Sequence, residues 1–178
     1  MRGSLAGPGG AVGGASVCVY ETVDEPAGIA QLVQVAKSKS DGTFAAHLPP
    51  GPSRVFEVAY RYGDRQIESP TMYLDSSVKP VFKVTRKRLR NGSSVGFRGR
   101  LPGPNAGGRS VTLQARVGRK WRTFKQLQSN PHGRFKGKYR FTQTRGVVLY
   151  VFRALVKKQG GYPYSAGASP KRKVLVRG

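Results

Sequence analysis

Alternating apolar and polar residues recur in short runs along the whole chain, and turns rich in Gly and Pro separate these runs. In Ser110–Val117 every second residue is apolar, and Gly118-Arg119-Lys120 predicts a tight hairpin turn into Trp121–Leu127. Alternation with a period of two is typical of a strand with one buried face. Strands that recur roughly every 8–12 residues are typical of an all-β sandwich or barrel. The sequence therefore predicts an all-β fold of antiparallel β-sandwiches.

The segment Glu21–Lys39 comes nearest to a helical pattern. Ile29, Val33 and Ala36 fall at helical spacing, but Ile29, Val33 and Val35 also fit a strand. Because β-branched residues such as Val favour extended backbone, we predict a strand there.

Two further local features concern turns and irregularities. The return strand Trp121–Leu127 alternates imperfectly, since Trp121, Phe124 and Leu127 do not share parity. One extra residue in a strand explains such a break, so we predict a β-bulge. Tyr62-Gly63-Asp64-Arg65 predicts a turn in the first half of the chain.

Charge is distributed very unevenly over the 178 residues, which carry a formal net charge of +24. Eight residues are Asp or Glu, and the last of them in the chain is Asp75. Only six of the 32 Lys and Arg residues precede Ser76, and the other 26 follow it. This asymmetry predicts two modules with different surfaces. We place a near-neutral domain at 1–85 and a strongly basic one at 86–178, with the boundary near Thr85–Gly92.

A basic stripe is the strongest functional feature of the second half. Alternation in Arg134–Phe141 places Phe135, Tyr139 and Phe141 on one face and the basic residues on the other. Side chains on one face of a strand lie roughly 6.6–6.8 Å apart, so the basic residues form a regular ladder. The candidate polyanion-binding residues of this ladder are Arg134, Lys136, Lys138 and Arg140.

A second basic patch is predicted at the hairpin. Its candidate residues are Arg116, Arg119, Lys120 and Arg122. Such a surface concentrates anionic polymers by charge alone, so the predicted partner is a wall polymer, an acidic polysaccharide or, alternatively, nucleic acid. Charge alone also allows an anionic membrane as a partner. A solvated outer sheet face without a partner is the competing interpretation.

Nothing in the sequence predicts an enzyme. The two histidines, His47 and His132, belong to no Gly-x-Ser-x-Gly or His-Glu-x-x-His motif, and Cys18 is the one cysteine. The Gly-rich stretch Gly7–Gly14 lacks the Gly-Lys-Ser/Thr ending of a phosphate loop, and Asp24-Glu25 point apart on extended backbone. We therefore predict no catalytic residue, no metal, no cofactor and no small-molecule substrate.

Membrane and export signals are likewise missing from the sequence. No apolar run approaches the roughly 18–20 residues that span a bilayer, so no transmembrane segment is predicted. Met1–Tyr20 is rich in Gly and has no apolar core of a signal peptide.

The first half carries three motifs in order: Gly13-Gly14-Ala15-Ser16-Val17-Cys18-Val19-Tyr20, Ser40-Asp41-Gly42-Thr43-Phe44 and Leu48-Pro49-Pro50-Gly51-Pro52. It thereby resembles the transthyretin-like, or carboxypeptidase-regulatory-like, β-sandwich modules of bacterial surface proteins. The second half is similar to a bacterial Ig-like domain. That similarity lies in Ser110–Val117, Trp121, Gly133-Arg134-Phe135 and Gly161-Tyr162-Pro163-Tyr164.

These resemblances imply a fold, a location and a role. The fold is two Ig-like or transthyretin-like sandwiches in tandem, and the location is the cell surface or the secreted fraction. They also imply that the chain begins inside a longer exported protein. The role is a non-enzymatic structural or binding segment whose basic domain contacts anionic wall polymer or polysaccharide. The alternative is a nucleic-acid-binding protein that uses a basic sheet face.

Overall fold

The computed structural model describes residues 1–62, 65–69 and 71–178. Within these ranges all regular structure is β-strand, so the predicted all-β class is confirmed, and no helix long and apolar enough to cross a membrane occurs there. The chain divides into two compact units, Met1–Ser76 and Ser77–Gly178, which we call unit 1 and unit 2.

Unit 1 is built around one larger sheet and two small strand pairs. Its strands are β1 (Arg2–Ser4), β2 (Ala6–Gly7), β3 (Gly10–Ala11), β4 (Ser16–Val23), β5 (Gln31–Lys37), β6 (Thr43–Ala45), β7 (Arg54–Tyr62), β8 (Arg65–Glu68) and β9 (Met72–Leu74). The larger sheet has the order β5-β4-β7-β8, and β9 also pairs with β7. The small pairs are β1 with β6 and β2 with β3.

Local expectations for unit 1 are met where they can be compared. The strand predicted in Glu21–Lys39 is confirmed, since β5 pairs antiparallel with β4. Val17, Val19, Phe56 and Phe44 are buried between the larger sheet and the β1–β6 pair. Gly63 and Asp64 of the predicted turn lie outside the described residues.

Unit 2 consists of two sheets. Its strands are β10 (Val81–Val84), β11 (Arg88–Arg90), β12 (Ser94–Arg100), β13 (Ser110–Val117), β14 (Lys120–Gln128), β15 (Arg134–Arg140), β16 (Val147–Val156), β17 (Gly167–Ala168) and β18 (Arg172–Arg177). One sheet has the order β10-β12-β15, and the other has the order β11-β18-β16-β13-β14 with β17 added to β16. The described strand pairs are antiparallel, with one exception: β11 runs parallel to β18.

Aromatic side chains fill the space between the two sheets of unit 2. Phe82 and Phe97 project from the three-stranded sheet, and their ring centroids lie 5.7 Å apart. Phe97 also meets Phe152 of the six-stranded sheet edge-on, with centroids 5.0 Å apart. Full burial of each such side chain contributes roughly 1.5–3 kcal/mol, so this aromatic layer joins the two sheets into a sandwich.

The predicted bulge is confirmed in β14. The register of β13 against β14 shifts between Leu113 and Gln114, which leaves Phe124 as the extra residue. A bulge turns one side chain away from the regular alternation. Here it lets Phe124 reach the core, where its ring centroid lies 5.6 Å from that of Phe97 and 5.7 Å from that of Phe152.

The division between the units falls after Ser76, whereas the sequence placed it after Thr85. Residues 81–84 form β10, which pairs with β12 along its whole length and thus belongs to unit 2. The basic run Arg86-Lys87-Arg88-Leu89-Arg90, predicted as a boundary, contains β11, which pairs with β18. Leu89 is buried in the core of unit 2, so this run is part of the folded unit.

Candidate polyanion-binding face

The four ladder residues lie where the alternation of β15 predicts them. Arg134, Lys136, Lys138 and Arg140 are all exposed. Between them Phe135 points into the core with 4% of its surface exposed. The strand therefore separates a cationic outer face from an apolar inner one.

Tyr139 occupies the margin of the inner face. It keeps 40% of its surface exposed. Its ring nevertheless packs edge-on against Phe124, at a centroid distance of 5.3 Å, and against Phe141, at 5.1 Å. Tyr139 thus extends the aromatic core and does not join the cationic face.

Strand pairing widens the ladder into a two-dimensional surface. On β12, Arg98 lies opposite Lys136 and Arg100 lies opposite Arg134. On β10, Lys83 lies opposite Arg98. Side chains of directly paired residues share one face of the sheet. We call this surface the basic face, and its residues are Lys83, Arg98, Arg100, Arg134, Lys136, Lys138 and Arg140.

Sequence reasoning missed three members of the basic face: Lys83, Arg98 and Arg100. The alternation of Val95 and Phe97 with the arginines of β12 was a local signal that could have found two of them. The pairing of β12 with β15 had no such signal, because β13 and β14 intervene in the sequence.

A trough crosses the basic face where β12 carries no large side chain. Its volume is about 820 Å³. It is lined by Thr85, Arg86, Ser93, Ser94, Gly96, Phe97, Arg98, Lys136, Gly137 and Lys138. Thr85 folds over Gly96: the Gly96 N–H donates to Thr85 Oγ1 at 2.9 Å, and the Thr85 N–H donates to the Gly96 carbonyl at 2.9 Å. A Cβ at position 96 would lie 2.8 Å from Thr85 Cγ2, so this contact requires glycine.

A second depression, of about 390 Å³, shares Arg86 and Ser93 with the trough. Its other cationic lining residues are Arg88, Arg90 and Arg177. The cationic residues that line the two depressions extend from the three-stranded sheet to β11 at the edge of the six-stranded sheet.

The basic face contains directly opposed like charges that no acidic residue of unit 2 relieves. Arg98 faces Lys136, and Arg100 faces Arg134, while no Asp or Glu occurs after Asp75. Like charges directly opposite one another destabilise a sheet. Arg140 is held by a backbone group, since its Nε–H donates to the carbonyl of Gly92 at 2.9 Å. An anion bound from outside would remove this repulsion.

The hairpin residues do not form one patch. Arg116 pairs with Trp121, whereas Lys120 pairs with Val117 and Arg122 with Ala115. Residues that alternate along a strand point to opposite faces, so Arg116 lies on one face and Lys120 and Arg122 lie on the other. The remaining residue, Arg119, sits in the turn of this hairpin with Gly118, which has a φ of 58°. Lys120, which the sequence also predicts in that turn, is the first residue of β14.

The tryptophan beside the hairpin is covered by an arginine. The Arg153 guanidinium carbon lies 4.1 Å from the Trp121 ring centroid, and Arg153 Nε donates to Gln114 Oε1 at 2.9 Å. Burial lowers the pKa of the Arg153 guanidinium. This cation–π pair occupies the ring face that a planar ligand would need.

Other candidate groups have structural roles. Tyr162 and Tyr164 are buried, and Tyr162 Oη donates to the Pro102 carbonyl at 3.0 Å while burial raises its pKa. The His132 N–H donates to Asn130 Oδ1 at 3.1 Å in a turn. Across the described ranges no three His, Cys, Asp or Glu side chains lie close enough together to hold a metal ion.

Comparisons with solved structures give neighbours of low sequence identity. No family model and no curated protein matches the chain. One solved structure, a tetra-tandem repeat in the extending region of a large adhesion protein, is 11% identical with a TM-score of 0.40 over 92% of this chain and 42% of that one. Another, the adhesin InvE of Yersinia pseudotuberculosis, is 11% identical with a TM-score of 0.40 over 97% of this chain and 53% of that one. The chain thus spans about half the length of the solved structures that it matches.

Proposed function

We propose that this chain is a non-enzymatic structural and binding segment of a secreted or cell-surface bacterial protein. In this proposal the basic face of unit 2 contacts an anionic wall polymer or an acidic polysaccharide. The single observation that carries it is the cross-strand arrangement of the seven cations on one exposed sheet face.

The geometry of the basic face supports an extended, repeating ligand. Cations recur at roughly 6.6–6.8 Å along β15 and at about 4.8 Å across the strands. The face is open along its length and does not enclose a ligand, which suits a polymer better than a small molecule that would need an enclosing cleft. Binding of a polyanion would also neutralise the Arg98–Lys136 and Arg100–Arg134 repulsions.

The distribution of aromatic side chains favours a polymer without bases. Proteins that bind single-stranded nucleic acid place aromatic rings beside the charges, so that bases stack on them. On β12 and β15 the aromatic residues Phe97, Phe135 and Tyr139 all occupy the inner side, opposite the cations. Nucleic acid remains the alternative ligand, and it would be held through its phosphates alone.

In the same proposal, unit 1 is the near-neutral partner module. We propose that it is the carboxypeptidase-regulatory-like sandwich and that unit 2 is the Ig-like one, so that the first serves as a spacer and the second as the binding module. The distribution of charge over the two units supports this division of roles, because unit 1 holds all eight acidic residues and unit 2 holds none.

The test measures binding of the full chain to poly(glycerol phosphate), heparin, single-stranded DNA and double-stranded DNA over a salt series. We compare Arg134→Gln/Lys136→Gln/Lys138→Gln/Arg140→Gln with a control of equal charge loss. The control is Arg145→Gln/Lys157→Gln/Lys158→Gln/Lys171→Gln, whose residues are exposed outside the basic face.

We expect wild type and control to bind poly(glycerol phosphate) or heparin at about 150 mM salt, where charges beyond about 8 Å are screened. The ladder variant should lose at least tenfold in affinity and several units of salt slope, given roughly 0.9 per phosphate contact on duplex DNA. Equal losses in both variants would contradict the proposal. Tighter binding of either DNA would favour the nucleic-acid alternative.

A further inference from the structure

We propose that the trough beside Gly96 and Thr85 is a discrete site for a phosphate or sulfate ester group of the bound polymer. This inference rests on the proposed function and adds to it the chemical class of the anionic group. The trough lies where β12 presents Ser94 and Gly96 between longer side chains, and Thr85 packs against the outer side of Gly96.

Cations reach the trough from three separate segments of the chain. Arg98 comes from the central strand β12, and Lys136 and Lys138 come from the neighbouring strand β15. Arg86 follows β10 and stands on the remaining side, beside Thr85. An anion in the trough is thus approached from several directions and not from one edge.

This convergence fits a tetrahedral anion better than a carboxylate. A sulfate ester or a terminal phosphate has three acceptor oxygens that point in different directions, and a phosphodiester has two terminal and two ester oxygens arranged tetrahedrally. A carboxylate has two oxygens in one plane, and a single guanidinium satisfies both of them in a bidentate pair. With Arg86, Arg98, Lys136 and Lys138 around one depression, most of the donors would find no acceptor on a carboxylate.

Small polar side chains complete the lining. Ser93 and Ser94 border the trough with hydroxyl groups, each of which can donate one hydrogen bond. Neither side chain is large enough to fill it. The second depression, reached past Arg86 and Ser93, offers Arg88, Arg90 and Arg177 to the next anionic group along the polymer.

The test measures binding of the full 178-residue chain to three polymers of matched charge: polyphosphate, dextran sulfate and polyglutamate. Ser94→Tyr fills the trough without changing the charge. Arg98→Gln/Lys138→Gln removes two cations from the trough, and Arg100→Gln/Arg134→Gln removes two from the same face outside it. Thermal unfolding of each variant establishes that it is folded.

At about 150 mM salt we expect wild type to bind at least one of the tetrahedral-anion polymers roughly tenfold more tightly than polyglutamate. Ser94→Tyr and Arg98→Gln/Lys138→Gln should bring that ratio close to one. Arg100→Gln/Arg134→Gln should weaken binding to all three polymers and leave the ratio unchanged. Preference for polyphosphate over dextran sulfate, or the reverse, identifies the ester.

Two outcomes would overturn the inference while leaving the proposed function intact. One is equal binding of the three polymers by wild type, and the other is an unchanged ratio in the trough variants. Absence of binding to every polymer at this salt would instead overturn the proposed function, and with it the trough site.

Discussion

Unit 1 contains a buried arginine in an ion pair, whereas the cations of the basic face of unit 2 are exposed. In unit 1, Arg54 is buried, forms an ion pair with Glu21 at 3.2 Å and donates to the carbonyl of Pro49. Its guanidinium also lies 5.2 Å from the ring centroid of Phe56. In unit 2 the interior is aromatic, and the cations of the basic face lie outside, with no acidic residue in the same unit. The charges of Arg54 and Glu21 are therefore part of the fold of unit 1, whereas the charges of the basic face of unit 2 are exposed on the sheet surface.

Removal of a buried aromatic ring from the core of unit 2 should cause the largest loss of stability, and that loss should be confined to unit 2. Phe97→Ala deletes a fully buried ring that contacts Phe82, Phe124 and Phe152. We expect a loss of about 3–5 kcal/mol in the free energy of unfolding. Amide hydrogen exchange measures this locally, and protection in unit 1 should not change. Faster exchange in both units would contradict the division after Ser76.

Breaking the buried ion pair should destabilise unit 1 by a comparable but smaller amount. Glu21→Ala leaves the Arg54 guanidinium buried without its acidic partner. Removal of one partner of a buried pair typically costs about 3 kcal/mol or somewhat more. Chemical denaturation measures the change, and Asp24→Asn, at an exposed acid of the same unit, should have almost no effect. Equal effects of the two variants would mean that the pair is not structural.

Loss of a single buried hydroxyl group in unit 2 should cause a smaller loss of stability. Tyr162→Phe removes the hydrogen bond from Tyr162 Oη to the Pro102 carbonyl. We expect a loss of about 1 kcal/mol in the free energy of unfolding. Thermal unfolding of wild type and variant checks this value. A variant as stable as wild type would show that water replaces the hydroxyl.

Relief of repulsion on the basic face should have the smallest effect, with the opposite sign. Arg98→Gln removes one of the directly opposed like charges. At low salt we expect unit 2 to gain about 0.5 kcal/mol in stability, since like cross-strand charges destabilise by a few tenths to 1 kcal/mol. Screening at about 1 M salt should abolish the gain. Lys157→Gln, outside the face, is the matched control, and an equal gain there would indicate net charge rather than local repulsion.

The sequence allowed prediction of features that depend on neighbouring residues. The β15 ladder and the bulge at Phe124 follow from parity within one strand, and both agree with the structure. The width of the basic face could not be predicted in this way. Arg98 lies opposite Lys136 because β12 pairs with β15, and β13 and β14 separate these two strands in the sequence. The run Arg86–Arg90 has the composition of a linker, and the pairing of β11 with β18 and the burial of Leu89 show that it is folded.

The parallel pair of β11 and β18 has a mechanical consequence. The Leu175 N–H donates to the Lys87 carbonyl at 2.8 Å, and the Asn91 N–H donates to the Arg177 carbonyl at 2.6 Å. A backbone hydrogen bond therefore lies at each end of the strand pair. When tension pulls β11 toward its N-terminus and β18 toward its C-terminus, the two strands slide past one another. All of their hydrogen bonds then carry the load together, whereas a hairpin such as β13–β14 opens one bond at a time. We expect single-molecule pulling to show a higher rupture force for this pair than for the hairpin, which would suit a segment that bears load.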